Sequence, residues 1–209
     1  MYMSRVRINT NLPSSRRALA DSNRLHAMIA GCFDMAAEAQ RPLWRIDTLD
    51  ESTYLLLVSS VAPDFDVLLP QLSAANETEA IVKDYDAFLS SLHNGEALRF
   101  RITANPVHSV ARNTENSSRG KVLGHVTVEQ QKDWLLSRAE KNGFTLQGFD
   151  VVSRGVKKFQ RQRKTVTLSV ATYEGLLVVD KVEALQFALI NGLGRAKAYG
   201  CGLLTVARP

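Results

Sequence analysis

The sequence predicts an α+β fold of two tandem ferredoxin-like (RRM-like) βαββαβ domains. Short alternating apolar segments of strand length recur along the chain. Two stretches with helical spacing punctuate each half. The order β-α-β-β-α-β is met once before about residue 92 and again after it, as a repeat of pattern without a repeat of sequence. The 209 residues, 45% of them hydrophobic, suffice for two small cores, and we set the domains at 1–92 and 93–209.

The first strand is Tyr2–Asn9, with Val6 and Ile8 on one face. A polar, basic loop containing Pro13, Arg16 and Arg17 follows. Asp21 or Ser22 can cap a helix from about Asn23 to Ala37, whose buried stripe is Leu25, Met28, Ile29, Cys32 and Phe33. Leu43–Ile46 and Thr53–Ser60 read as strands joined by the turn at Thr48–Ser52. Between Asp64 and Leu92 the pattern offers a short helix near Val67–Ala75 and a strand near Ala80–Phe88. In the second half Leu98–Ala104 is a strand stopped by Asn105-Pro106. Val128–Asn142 is a helix closed by Gly143, and Phe144–Val152, Thr165–Thr172 and Leu176–Val179 are strands. Asp180 caps a helix over Val182–Ile190 that ends at Gly192, and Leu203–Val206 closes the chain as a strand.

Charge is unevenly divided. Residues 1–94 hold 8 Lys/Arg and 12 Asp/Glu, whereas residues 95–209 hold 18 and 9, so nearly all the basicity lies in the second half. Such asymmetry suits a polyanionic partner. The densest part, Arg154 to Lys164, carries Arg154, Lys157, Lys158, Arg161, Arg163 and Lys164 with no acid. A run like this is commonly just a solvated face. Here it lies between strand-like segments, as a projecting hairpin would, and is spaced by glutamines rather than carboxylates, which favours nucleic-acid phosphates. No apolar run is long enough for a membrane span and the N-terminus lacks a signal-peptide core, so no membrane partner and a cytoplasmic location are expected. Cys32 and Cys201 form neither a disulfide framework nor a zinc pattern.

The stretch Gly192-Leu-Gly194-Arg195-Ala-Lys197-Ala-Tyr-Gly200-Cys-Gly202 joins four glycines to two cations without an acid. Lys197 lacks the preceding glycine and following Ser/Thr of a phosphate-binding Walker loop, and the third glycine of a dinucleotide fingerprint is missing. What remains is either a tight turn before the last strand or a loop that admits an anionic ligand close to the backbone.

These segments together resemble the CRISPR-associated endoribonucleases of the Cascade system, the CasE family of type I-E CRISPR RNA processing. The likeness is carried by Met1-Tyr-Met-Ser-Arg-Val6, Leu98-Arg-Phe-Arg-Ile-Thr-Ala-Asn-Pro106, Tyr173-Glu-Gly-Leu-Leu-Val-Val179 and, most specifically, Gly192–Leu204. The resemblance implies two ferredoxin-like domains and binding of the stem-loop of CRISPR repeat RNA. It also implies cleavage at the 3′ base of the stem without metal or cofactor, and retention on the product among other Cascade subunits. Attack of the ribose 2′-OH on the adjacent phosphate would leave a 2′,3′-cyclic phosphate and needs an acid or base active near neutral pH, for which histidine is suited.

His26, His93, His108 and His125 are the histidines. By spacing alone His26 is either catalytic or a boundary residue of the helix core; the resemblance assigns it the catalytic role. His93 reads as a solvated residue of an interdomain turn, His125 as a surface residue, and His108 as a surface residue within reach of RNA. Some family members carry a tyrosine three residues before the histidine, where this chain has Asn23. Asn23, Arg24, Ser22 and Tyr2 are therefore the candidates for catalytic support, and a catalytically inactive RNA-binding subunit is the alternative. Expected RNA-binding groups are Arg16 and Arg17 beside the helix, the cations from Arg154 to Lys164, and Gly192, Gly194, Arg195 and Lys197 in the glycine loop.

Overall fold

The computed structural model describes residues 1–33, 41–73, 80–110, 121–162 and 164–209. Its first sheet is antiparallel with strand order β2-β3-β1-β4, built from Leu43–Leu49, Ser52–Ser59, Tyr2–Ile8 and Ala80–Asp84. β1 is central and pairs with β3 from Tyr2–Ser59 to Ile8–Thr53, and with β4 from Tyr2–Asp84 to Val6–Ala80. The second sheet repeats the arrangement as β10-β5-β9-β8, formed by Leu204–Ala207, Ala97–Ala104, Lys164–Val179 and Phe144–Arg161. In both sheets the first strand of the unit lies between the third and the fourth, which is the ferredoxin-like topology.

The helices explain why each sheet has one covered face. Ser4, Val6 and Ile8 alternate inward from β1. Val6 and Ile8 pack with Ala18 of α1 (Pro13–Ala20), Leu25 and Ile29 of α2 (Ser22–Ala30), and Leu72 of α3 (Leu69–Leu72). The second core gathers Trp134, Leu135 and Ala139 of α5 (Val128–Ala139) and Leu185, Ala188 and Leu189 of α6 (Val182–Asn191) over Phe100, Ile102, Tyr173 and Leu177. Tyr85 and Leu89, at and within α4 (Asp86–Ser90), join this second core together with Leu43 and Val58. One continuous packing surface therefore links the two sheets.

Several expectations need correction. The segment with Pro13, Arg16 and Arg17 is a helix, not a loop: Pro13 occupies the first helical turn, where its missing N–H costs nothing. α2 ends at Ala30 with Gly31 as its C-cap; the part of the expected helix over residues 34–37 lies outside the described residues. The helix placed at Val67–Ala75 is the single turn α3, and part of its expected range lies outside the described residues as well. The strand expected to reach Phe88 stops at Asp84, whose side chain accepts the Asp86 N–H (2.8 Å) as α4 begins. The two expected strands between Thr165 and Val179 are one, β9. A small hairpin of β6 (Val107–Val110) and β7 (Lys121–Gly124) was not anticipated. Among the described residues no helix is long and apolar enough to cross a membrane.

The two halves are clamped by a buried ion pair. Arg45 on β2, 2% exposed, binds the Asp47 carboxylate at 2.7 Å and also donates to the carbonyls of Arg101 and Leu203 and to Thr205 Oγ1. Arg101 completes the network through Asp47 and Glu174. A buried guanidinium is tolerable because its donors are satisfied here.

Candidate functional site

Asp21 starts the site. Its side chain accepts the N–H groups of Asn23 (2.9 Å) and Arg24 (3.4 Å), which fixes the first turn of α2. Leu25 and Ile29 then bind the helix to the core, and His26 falls on the flank, half-buried. Its Nδ1 is buried without a hydrogen-bond partner among the described residues, which leaves Nε2 as the nitrogen open to a ligand. Burial chiefly, then the positive charges of Arg41 and Arg161, hold its pKa below the usual histidine value of 6.5. The ring is therefore neutral at pH 7, the form a general base requires.

The glycine-rich stretch comes up against α2 from the other half of the chain. A short 3-10 turn, Lys197–Tyr199, lies between left-handed Ala196 (φ 64°) and Gly200 (φ 77°). It presents Tyr199 edge-on to His26 with ring centroids 6.2 Å apart. The glycine at 200 is required twice: its φ is left-handed, and a Cβ there would stand 2.6 Å from the Trp44 ring. Gly192 donates its N–H to Ala188 O (2.8 Å), which ends α6 and leaves no free amide for a phosphate. The phosphate role expected of Gly192 thus gives way to a packing role. Gly194 and Arg195 are exposed. Lys197 is half-buried and donates to Asn191 O at 2.6 Å; burial first, then Arg41, lowers its pKa.

β8 and β9 form the expected hairpin, in register from Arg154–Ala171 to Arg161–Lys164. Strand alternation splits its cations. Lys157 and Arg161 share a face with Phe159, which is buried 4.5 Å from Tyr199 in a small cluster with Leu168, Val170 and Cys201. Arg154 and Lys158 are exposed on the opposite face, and Lys164 is exposed near the tip. Arg163 lies outside the described residues. The hairpin thus packs on the glycine loop through Phe159 and Tyr199, and Arg161 of its inner row acts electrostatically on His26.

The remaining candidates are distributed less uniformly. Arg17 and Arg24 are exposed on α1 and α2. Arg16 is exposed but spends its Nη1 on the carbonyls of Thr10 and Asn11. Asn23 is half-buried at the helix start. Tyr2 opens β1 between Ser59 and Asp84, and the tyrosine ring that meets His26 is Tyr199 instead. Two residues of the site were missed. Tyr199 was hidden as one aromatic within a glycine motif read for its cations, and Arg41 lay in a segment with no periodic pattern. The signal for Tyr199 was the Tyr-Gly pair itself, an apolar ring beside a residue that can take a positive φ.

The family model described as "CRISPR associated protein" matches residues 1–208. The chain is similar to the CRISPR-associated endoribonuclease Cse3 of Thermus thermophilus, at 28% identity covering 99% of this chain and 100% of that one. It is also similar to the CRISPR system Cascade subunit CasE of Escherichia coli, at 26% identity and 99% coverage of both. Among solved structures, CRISPR endoribonuclease Cse3 bound to a 19-nucleotide RNA superposes with a TM-score of 0.80 and 25% identity, over 99% of this chain and 100% of that one.

Proposed function

The chain belongs to the CRISPR associated protein family, and from that premise we propose that it is an endoribonuclease that matures CRISPR RNA. It binds the stem-loop of the repeat transcript and cuts at the 3′ base of the stem. It then stays on the product as a subunit of Cascade, in the cytoplasm where the transcript is made. The observation that carries this is the convergence of three elements on one point: a capped helix bearing His26, a glycine loop, and a basic hairpin.

The proposed reaction needs no metal. Neutral His26 accepts the proton of the ribose 2′-OH, whose oxygen attacks the neighbouring phosphorus. The P–O2′ bond forms as the P–O5′ bond breaks, the 5′ oxygen leaves with a proton taken from water while His26 returns its proton to solvent, and a 2′,3′-cyclic phosphate remains. Arg41 and Arg161, close enough to depress His26, are placed to offset charge developing on the phosphate oxygens. Tyr199 holds the imidazole edge-on. Lys157 and Arg161 meet the strand near the cut, while Arg154 and Lys158 take phosphates further along the stem. Because A-form RNA has a deep, narrow major groove, most of these contacts read shape and backbone.

The test is incubation in EDTA with cognate repeat RNA and with a copy carrying a 2′-deoxy residue at the cut site. Cleavage of the first only, with a cyclic phosphate end, is expected. Cleavage of the deoxy copy overturns the mechanism, and binding without cleavage makes the chain the inactive subunit that Asn23 would suggest.

A further inference from the structure

Behind the glycine loop lies a cleft of about 510 Å³ between the β6–β7 hairpin, α5 and residues Gly194–Arg195. Its lining does not include His26 or Tyr199, and the glycine loop contributes Gly194 and Arg195 to its wall. We propose that this cleft receives one unpaired nucleotide of the RNA, base inward, directly beyond the 3′ base of the stem. The inference rests on the RNA-processing reading above.

Its polar groups are unusually incomplete. Asn105 Oδ1, His125 Nδ1 and Trp134 Nε1 are buried and have no hydrogen-bond partner among the described residues, although all three residues line the cleft. Asn105 is only 6% exposed. Each such orphan leaves its desolvation uncompensated unless something satisfies it. The set mixes an acceptor, a donor and an imidazole nitrogen of either kind, which suits the mixed edge of a nucleobase. The Asp133 carboxylate in the same wall disfavours a bare anion.

Flat surfaces complete the pocket. The rings of His108 and His125 lie 4.7 Å apart at a 39° tilt, and the Arg138 guanidinium lies 4.1 Å over the Trp134 ring. Unpaired bases stack on such faces. Burial first, then His108 and Arg138, lowers the His125 pKa against the opposing pull of Asp133, so its imidazole is neutral at pH 7 and able to accept as well as donate. Arg195 at the mouth supplies a cation for the nucleotide's phosphate.

Position decides which nucleotide enters. Arg195 precedes Tyr199 by four residues, at most roughly 14 Å of chain, so one loop carries both the wall of this cleft and the ring beside His26. A strand leaving the cut along that loop reaches the cleft within a short unpaired stretch.

Binding of uncleavable 2′-deoxy stem-loop RNA is measured with no flank, with a short natural 3′ flank, and with that flank made abasic. The natural flank should tighten binding about tenfold, and the abasic flank should not. His108→Ala, on an exposed side chain, should abolish the gain while leaving affinity for the bare stem-loop unchanged; Arg138→Gln is the second variant. Equal affinity with and without the flank overturns the proposal. So does a gain that the abasic flank retains, or one that survives both substitutions. Failure of wild type to bind any of the three RNAs overturns the RNA-processing reading, and this one with it.

Discussion

The role proposed for His26 as a base requires a neutral ring, and its surroundings favour one. With the pKa held below 6.5 by burial, Arg41 and Arg161, kcat/KM for cleavage should rise with pH along an acid limb centred below 6.5 and level off toward neutrality. Removing one of the depressing charges, as in Arg161→Gln, should move that limb to higher pH and lower the plateau. A limb that stays put would show that Arg161 does not face the imidazole. His26→Ala should cost roughly 10²–10⁴-fold in single-turnover rate while RNA affinity, measured by filter binding, changes little. Spacing left His26 open between a catalytic and a core-boundary residue, and the family resemblance assigned its role; the hairpin cations were legible at this scale because their chemistry is written in residue type. The partners Tyr199 and Arg41 were not, because only the tertiary approach of two distant segments makes them neighbours.

At the scale of elements, the glycine loop acts by close packing. Gly200→Ala places a Cβ against Trp44 at a left-handed φ. It should cost about 2 kcal/mol or more, seen as a lower Tm together with lost cleavage as Tyr199 shifts. Gly155→Ala, with no atom of the described residues within 4 Å of the added carbon, should leave both within error. The hairpin makes a different prediction. Reversing the charges of Arg154 and Lys158 should flatten the dependence of affinity on salt by about 0.7–0.9 per lost phosphate contact and leave the cleavage rate of bound RNA intact. Reversing Lys157 and Arg161 should lower both. Order and type of most elements could be read from periodicity, including the second-half helix, which Thr127 and Gln130 start with a capping box. The misses have physical reasons. Pro13 was taken for a loop signal although it sits where helices accept proline, Gly31 stops a helix whose apolar spacing continues to Phe33, and the four-residue strands β6 and β7 are too short to show a period.

For the whole molecule, the proposed active arrangement is composite: His26 comes from the first half of the chain, and the loop and hairpin that meet it come from the second. Whatever fixes the two halves together therefore fixes the geometry of catalysis. The buried Arg45 network is that device, since its guanidinium joins Asp47 of the first sheet to the carbonyls of Arg101 and Leu203 and to Thr205 of the second. Arg45→Met should cost about 3–5 kcal/mol, because it leaves Asp47 and two carbonyls short of donors while Arg101 compensates only part of the charge. The more discriminating readout is functional. The densest group of cations proposed to bind the stem lies in residues 154–164, within one hairpin, so RNA affinity at a temperature well below the lowered Tm should fall only slightly. Cleavage should fall far more, since it alone requires His26 in register with the loop. Equal losses in binding and cleavage would mean that Arg45 supports the fold generally rather than the alignment of its halves.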